Sequence, residues 1–375
     1  MKFVVERDYL VDAVNWVSKS ISNRPITTAL LGIIIDATDE ITLSGSDLES
    51  SANAKLKADI SQTGKVLVPG KLLAEISRSL PAKPITFTLE GAKVLVSAGS
   101  AKFTLPTLPI TEYPNLPQVP PPTGSLKSDL FATAVTQVAI AAGKDDSLPT
   151  LTGVFVEINK NQITLAATDR YRLAVRELSW SAVDPSVEAT ALLRARTIAD
   201  AAKSLTTSSN VSISLAQPNS NEKLVGFVSD GKTMTSRVLD GSFPPFRNLL
   251  PSDATAEAVI EVAPLLDSVR RVALVTDKTV PLRLNFSNNT LQLEAGTGDE
   301  AQASEKIDIN YKGEDINIAF NPTFLTDGLI ALGTAFVHIS FTGANKPAVL
   351  TGQNEATGEF IANYKYLLMP MRYSS

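Results

Sequence analysis

Three stretches of the chain carry the same stripe of apolar side chains. Leu10, Val14, Val17 and Ile21 follow the spacing i, i+4, i+7, i+11, which is one face of an amphipathic helix. Phe131, Val135, Val138 and Ala142 repeat it, and Leu265, Val269, Val272 and Thr276 give it again with a polar last position. After each stripe comes a proline-containing turn and then two β-rich runs: "RPITTALLGIIIDATDEITLSGSD", "LPTLTGVFVEINKNQITLAATD" and "VPLRLNFSNNTLQLEAGTGD". Each copy next offers a strand leading into a second helix, in "KVLVPGKLLAEISRSL", "ATALLRARTIADAAKSL" and "INIAFNPTFLTDGLIAL". A unit of helix, strands, helix, strands that recurs in this way predicts an α+β chain of three tandem similar domains, each with two helices packed on antiparallel sheets. Proline-rich "PNLPQVPPPTGS" and the segment "LLPSDATAEA" place the boundaries at residues 1–122, 123–251 and 252–375.

One motif competes with this picture. Residues 226–233, "GFVSDGKT", satisfy G-x-x-x-x-G-K-[ST], the pattern of a phosphate-binding loop. Such a loop needs a helix whose N-terminus faces the anion. Here two short alternating runs flank Asp230-Gly231, a two-residue link suited to a type I′ hairpin turn. Lys232 is therefore expected on a returning strand with its head in solvent, and a nucleotide-binding protein is the lesser reading.

Composition narrows the chemistry. The chain has 375 residues, 44% of them hydrophobic, which is ample for buried cores in two or three domains. Without a cysteine there is no thiol nucleophile, thiolate metal site or disulfide framework, and no metal or other cofactor is expected. The single histidine, His338 in "AFVHISF", falls in an alternating run and reads as a sheet-face residue rather than a catalytic base. The N-terminus has only a short apolar run before Glu6, Arg7 and Asp8, and no stretch is long and apolar enough to span a membrane, so a cytoplasmic protein without membrane contact is expected. A net charge of −5 argues against a uniformly basic nucleic-acid binder but not against segregated charge. On or beside the predicted helices lie Arg24, Lys71, Arg78, Arg194, Arg196, Lys203, Arg270 and Arg271, interspersed with acids such as Asp12, Asp200 and Asp267.

Two segments are more specific. "AATDRYRLAV", residues 166–175, and "YLLMPMRY", residues 366–373, resemble signatures of the bacterial sliding clamp, the β subunit of DNA polymerase III holoenzyme. With the threefold repeat, this resemblance covers the whole chain. It implies a DNA clamp fold: a head-to-tail homodimer whose six domains form a ring around double-stranded DNA, a processivity factor rather than an enzyme. Its helices would put the basic residues named above toward phosphates, contacts that carry no sequence information.

The resemblance also implies a pocket for short linear peptides of the polymerase catalytic subunit, clamp-loader subunits, and DNA repair and mismatch-repair proteins. The matching positions are Leu151, Thr168, Arg170, Tyr171, Arg172 and Leu173, then Pro244, Asn248, Leu249 and Pro347, and finally Leu368, Met369, Pro370, Met371 and Arg372. Met369 and Met371 are expected on one face of a terminal strand, where flexible thioethers suit several related peptides. Arg170-Tyr171 stands where many members carry Gly-His, which makes this rim bulkier. Asn248 stands where some have arginine, which leaves the role of Arg247 open. For the dimer joint, three domains in an arc leave an edge at each end, and the candidate segments supply Lys102, Phe103 and Leu105 on one side and Glu300 and Glu305 on the other.

Overall fold

The computed structural model describes residues 1–375 except 23–25, 207, 216–222, 252, 277–279, 297–300 and 373–375. Its α-helices among the described residues are α1 (Arg7–Val17), α2 (Gly70–Ser79), α3 (Ser128–Ala139), α4 (Ala195–Ser204), α5 (Val262–Val272) and α6 (Pro322–Leu332). They are the paired helices expected of three copies. All four residues of the first stripe and all four of the second are buried; in the third, Leu265, Val269 and Val272 are buried and the polar Thr276 is half-buried. The stripe face packs inward because only there can its apolar area leave water.

Contacts divide the chain into two compact units, each built from two segments. The first comprises Met1–Ala132 and Trp180–Val238. It holds a five-stranded antiparallel sheet in the order Ala58–Gln62, Lys2–Val5, Ile85–Glu90, Lys93–Ala98, Ala101–Pro106. A nine-stranded sheet runs Ser181–Ala182, Gly124–Lys127, Asn210–Leu215, Leu224–Ser229, Lys232–Arg237, Ser50–Leu56, Ile41–Ser46, Gly32–Ala37, Gly64–Pro69. Helix α1 lies on it, and the Trp16 indole Nε1–H donates to Asn53 O at 3.0 Å.

The second unit comprises Thr133–Ser179 and Leu239–Ser375. One of its sheets runs Gly153–Asn159, Gln162–Thr168, Arg172–Ser179, Ile361–Leu368, Ala348–Gln353, Phe336–Phe341, Ala256–Glu261, Asn310–Gly313. The other is four-stranded, Ala303–Asp308, Thr290–Ala295, Leu282–Ser287, Ile316–Phe320. Helix α6 starts and stops on clear chemical signals. The Asn321 side chain accepts from the amides of Thr323 and Phe324, Pro322 fills the first turn, and Gly333 ends it at φ 65°. Gly328 admits the buried Tyr366 ring so closely that a Cβ there would stand 2.4 Å from the ring edge.

The Asp-Gly hairpin is present. Asp230 and Gly231 have φ 39° and 76°, and the chain continues from Lys232 as a strand to Arg237, with no helix to cradle a phosphate. The expectation for the Lys232 head is wrong. Lys232 is buried, its ammonium lies 2.8 Å from Asp12 Oδ2 and 6.0 Å from the centre of the Trp16 ring, because the strand face that carries it packs on α1. His338 lies on a strand face as expected, stacked on Phe360 with ring centres 5.0 Å apart.

Candidate binding site and its family

The signature "TDRYR" is a tight turn joining the strands Gln162–Thr168 and Arg172–Ser179. Asp169 organises it: Oδ1 accepts from the amides of Tyr171 and Arg172, each at 3.0 Å. Thr168 Oγ1 donates to Arg172 O at 2.7 Å, and Arg170 sits at the crest with φ 80°, in the left-handed region that costs a non-glycine residue strain. Arg170 and Tyr171 are thereby pushed outward, while Arg172 turns in.

The Arg172 side chain is 6% exposed and held from three directions. Nε donates to Asp169 Oδ2 at 3.0 Å, Nη1 to Asp327 Oδ2 at 2.6 Å, and Nη1 stands 3.4 Å from the Tyr366 hydroxyl. That hydroxyl in turn donates to Phe324 O at 2.9 Å. Burial alone would lower the pKa of the guanidinium, but Tyr366, Asp327 and Asp169 outweigh it and the net shift is upward; the Tyr366 phenol is also pushed up, by burial above all. Arg172 lies under the Phe324 ring at 4.3 Å, Tyr171 stacks on Phe324 at 6.3 Å, and the Arg170 guanidinium covers Tyr171 at 5.9 Å. Cation, ring, ring and cation thus form one layered wall.

This wall borders a cavity of about 340 Å³. Opposite stands the loop after α3, closed by the Gly143 amide on Leu151 O at 2.7 Å, which presents Lys144, Leu148 and Leu151. Of the sequence-predicted positions, Leu151, Arg170, Tyr171 and Arg172 line the cavity. Thr168 is buried behind the turn.

Other predicted positions lie outside this cavity. Leu173 faces away from the cavity: neighbouring residues on a strand point to opposite faces, and Leu173 joins Leu367, Val349 and Phe246 in a core cluster, with Leu368 fully buried in its own strand. Pro244, Asn248 and Leu249 belong to the segment that seats Phe246 on that cluster, and Pro347 precedes the strand that carries Val349; none of them lines the cavity. The expectation of a terminal strand through Met371 needs correction. The last strand ends at Leu368, so Met369, Pro370, Met371 and Arg372 lie beyond it. They are still tethered, for the Met369 amide donates to Tyr171 O at 2.9 Å and the Met371 amide to Ala319 O at 2.8 Å, while Pro370 between them has no amide to place. Arg247, whose role the sequence left open, pairs with Glu157 and covers the Phe246 ring at 4.9 Å.

Sequence reasoning missed Phe324, Asp327 and Tyr366. The partners of Arg172 come from α6 and the last strand, far away in the chain, and only the fold joins them.

Comparison with known proteins matches the chain in three stretches. Residues 1–117, 125–245 and 247–372 match, in turn, the families described as the N-terminal, central and C-terminal domains of DNA polymerase III beta subunit. The chain belongs to the bacterial β sliding clamps. Its relatives include the beta sliding clamp of Streptomyces coelicolor, 47% identical over 375 residues and covering 100% of both chains. Among solved structures it is similar to a Pseudomonas aeruginosa sliding clamp bound to griselimycin (TM-score 0.91, 26% identity) and to the Bacillus subtilis clamp (TM-score 0.90, 25% identity), each covering 100% of both chains. The function is that of the family, a sliding clamp of DNA polymerase III, with the three-domain clamp fold.

In this clamp Lys71, Arg78, Arg196, Lys203, Arg270 and Arg271 of the predicted DNA-facing residues are exposed. Four of the predicted arginines lie beside carboxylates: Arg194 Nε donates to Glu49 at 2.9 Å and Arg271 Nε to Glu305 at 3.0 Å, while Arg196 stands 4.0 Å from Asp200 and Arg270 3.8 Å from Asp267; Arg24 lies outside the described residues. Of the dimer candidates, Leu105 is corrected: it is fully buried within its own sheet. Lys102 and Phe103 stand exposed on the edge strand Ala101–Pro106. Glu305 lies on another edge strand, Ala303–Asp308, with its pKa held down by Arg271 and Ser268; Glu300 lies outside the described residues. Leu274, just past α5 and 84% exposed, was not anticipated.

Proposed function

We propose that this clamp closes as a head-to-tail homodimer around double-stranded DNA, with no catalysis of its own, and tethers the polymerase catalytic subunit through a short peptide seated in the cavity beside Tyr171. Clamp-loader subunits and DNA repair and mismatch-repair proteins take turns at the same cavity, and the work is done in the cytoplasm. The domains are 1–122, 123–251 and 252–375.

The observation that carries the reading is the cavity itself. It is concave, of the size that short peptides and small ligands use, and walled by aromatic rings with a few fixed polar groups. The Pseudomonas clamp takes griselimycin, which supports ligand capture on this fold. For the ring, the support is two unpaired edge strands of complementary character, Ala101–Pro106 with Lys102 and Phe103 and Ala303–Asp308 with Glu305. Exposed edges invite pairing, and joining one to the other in a second copy removes both. Leu274 adds an exposed apolar group beside α5. Lys71, Arg78, Arg196, Lys203 and Arg270 supply the sequence-independent contact to phosphate.

The decisive experiment loads the protein onto nicked circular DNA and then linearises the circle. Topological linkage predicts retention on the circle and release from the linear form. Equal retention on both would mean ordinary binding and would end the ring reading.

A further inference from the structure

Among the described residues, the turn that builds the cavity wall occurs twice. Residues 46–50 copy residues 168–172 hydrogen bond for hydrogen bond. Asp47 Oδ1 accepts from the amides of Glu49 at 3.0 Å and Ser50 at 2.7 Å, as Asp169 Oδ1 does from Tyr171 and Arg172. Ser46 Oγ donates to Ser50 O at 2.9 Å where Thr168 Oγ1 donates to Arg172 O at 2.7 Å. Leu48 has φ 76° and Arg170 φ 80°. The joint with the neighbouring strand is copied too: the Arg237 amide donates to Glu49 O at 2.8 Å, and the Met369 amide to Tyr171 O at 2.9 Å.

The copies differ at the last residue, Ser50 in one and Arg172 in the other. Residues 46–50 keep every one of these bonds with a serine at the last position, so neither the turn nor the strand joint requires a guanidinium there. On the turn aspartate the two side chains are interchangeable: Ser50 Oγ donates to Asp47 Oδ1 at 3.1 Å where Arg172 Nε donates to Asp169 Oδ2 at 3.0 Å. What Arg172 adds is its reach to Asp327 of α6, under Phe324 of α6 and against Tyr366 of the last strand. With 6% of that side chain exposed, it has almost no surface left for a ligand.

We propose that Arg172 is a positioning residue: beyond a bond to the turn aspartate that a serine can replace, it does not touch the peptide but fixes the α6 wall against Tyr171 so that the cavity stands open before a partner arrives. Preorganisation of this kind raises affinity by removing the ordering cost from the binding step. The proposal rests on the reading of the cavity as the peptide site.

The test uses the full-length protein and a synthetic linear peptide with Leu and Phe anchors, titrated by calorimetry against wild type, Arg172→Ser, Asp327→Asn and the double variant. Amide exchange at Tyr171 and Met369, and in the first turn of α6, is followed in parallel. Arg172→Ser, which reproduces the internal copy, is expected to bind at least tenfold more weakly while Tyr171 and Met369 stay protected and α6 exchanges faster. Asp327→Asn, the milder change, lowers affinity in the same direction, and the double variant binds no more weakly than Arg172→Ser because both remove one strut. Wild-type affinity in Arg172→Ser, or loss of protection at Tyr171 and Met369, overturns the proposal. So does an additive loss in the double variant, which marks direct contact with the peptide. Failure of the wild type to bind the peptide removes the site reading itself and is seen separately.

Discussion

Replacing Lys232 separates the two accounts of the G-x-x-x-x-G-K-[ST] match by free energy. Its side chain is buried along the stem, and its ammonium meets Asp12, whose carboxylate is 62% exposed. Lys232→Ala deletes three buried methylenes, about 2.4 kcal/mol at about 0.8 kcal/mol each. An ion pair with one hydrated partner adds at most about 1 kcal/mol, so the expected loss is about 3 kcal/mol. Lys232→Met keeps a stem of similar length and gives up only the charge, at a cost of about 1 kcal/mol or less. Guanidinium denaturation followed by tryptophan fluorescence reads this cleanly, since Trp16 and Trp180, the chain's 2 tryptophans, both belong to the unit that contains Lys232. Equal losses for Ala and Met would show that charge rather than packing matters. No loss for either would return the head to solvent, and ATP binding that vanishes in Lys232→Ala would restore the phosphate loop.

Arg170→Gly relieves left-handed backbone strain while giving the unfolded chain more freedom, so thermal unfolding should show stability unchanged or raised by up to about 1 kcal/mol, whereas Arg170→Val should lower it. Burial lowers the pKa of His338 despite Glu257, so the folded state resists its protonation. Acidification from above pH 6.5 through the folded-state pKa should therefore cost stability, and His338→Gln should flatten that part of the profile in a pH series of denaturation curves. Phe103→Asp should give a monomer by sedimentation with its fold intact, since the side chain is exposed on an edge strand at the proposed joint.

The periodic elements were legible because periodicity is local. The three stripes and the Asp230-Gly231 turn each announce themselves within a few residues, and all of them are present. The site was legible only as far as the turn that carries its signature. Asp169, Arg170, Tyr171 and Arg172 are consecutive, but Asp327 and Tyr366 reach Arg172 only through the packing of α6 and the pairing of Arg172–Ser179 with Ile361–Leu368. Burial was the least readable quantity. Leu105 looked like an interface residue and Lys232 like a surface one, and each was misjudged because sequence does not say which face of a strand a helix will cover.

The turn at residues 46–50 is a folded scaffold without cargo. It holds the same left-handed crest and the same aspartate anchor as its counterpart, yet carries Leu48, Glu49 and Ser50 instead of two arginines and a tyrosine. A protein engineer could treat it as an empty socket. Grafting side chains at the exposed Leu48 and Glu49 keeps the hydrogen bonds that hold the turn, and a clamp so altered would offer each chain a second attachment point.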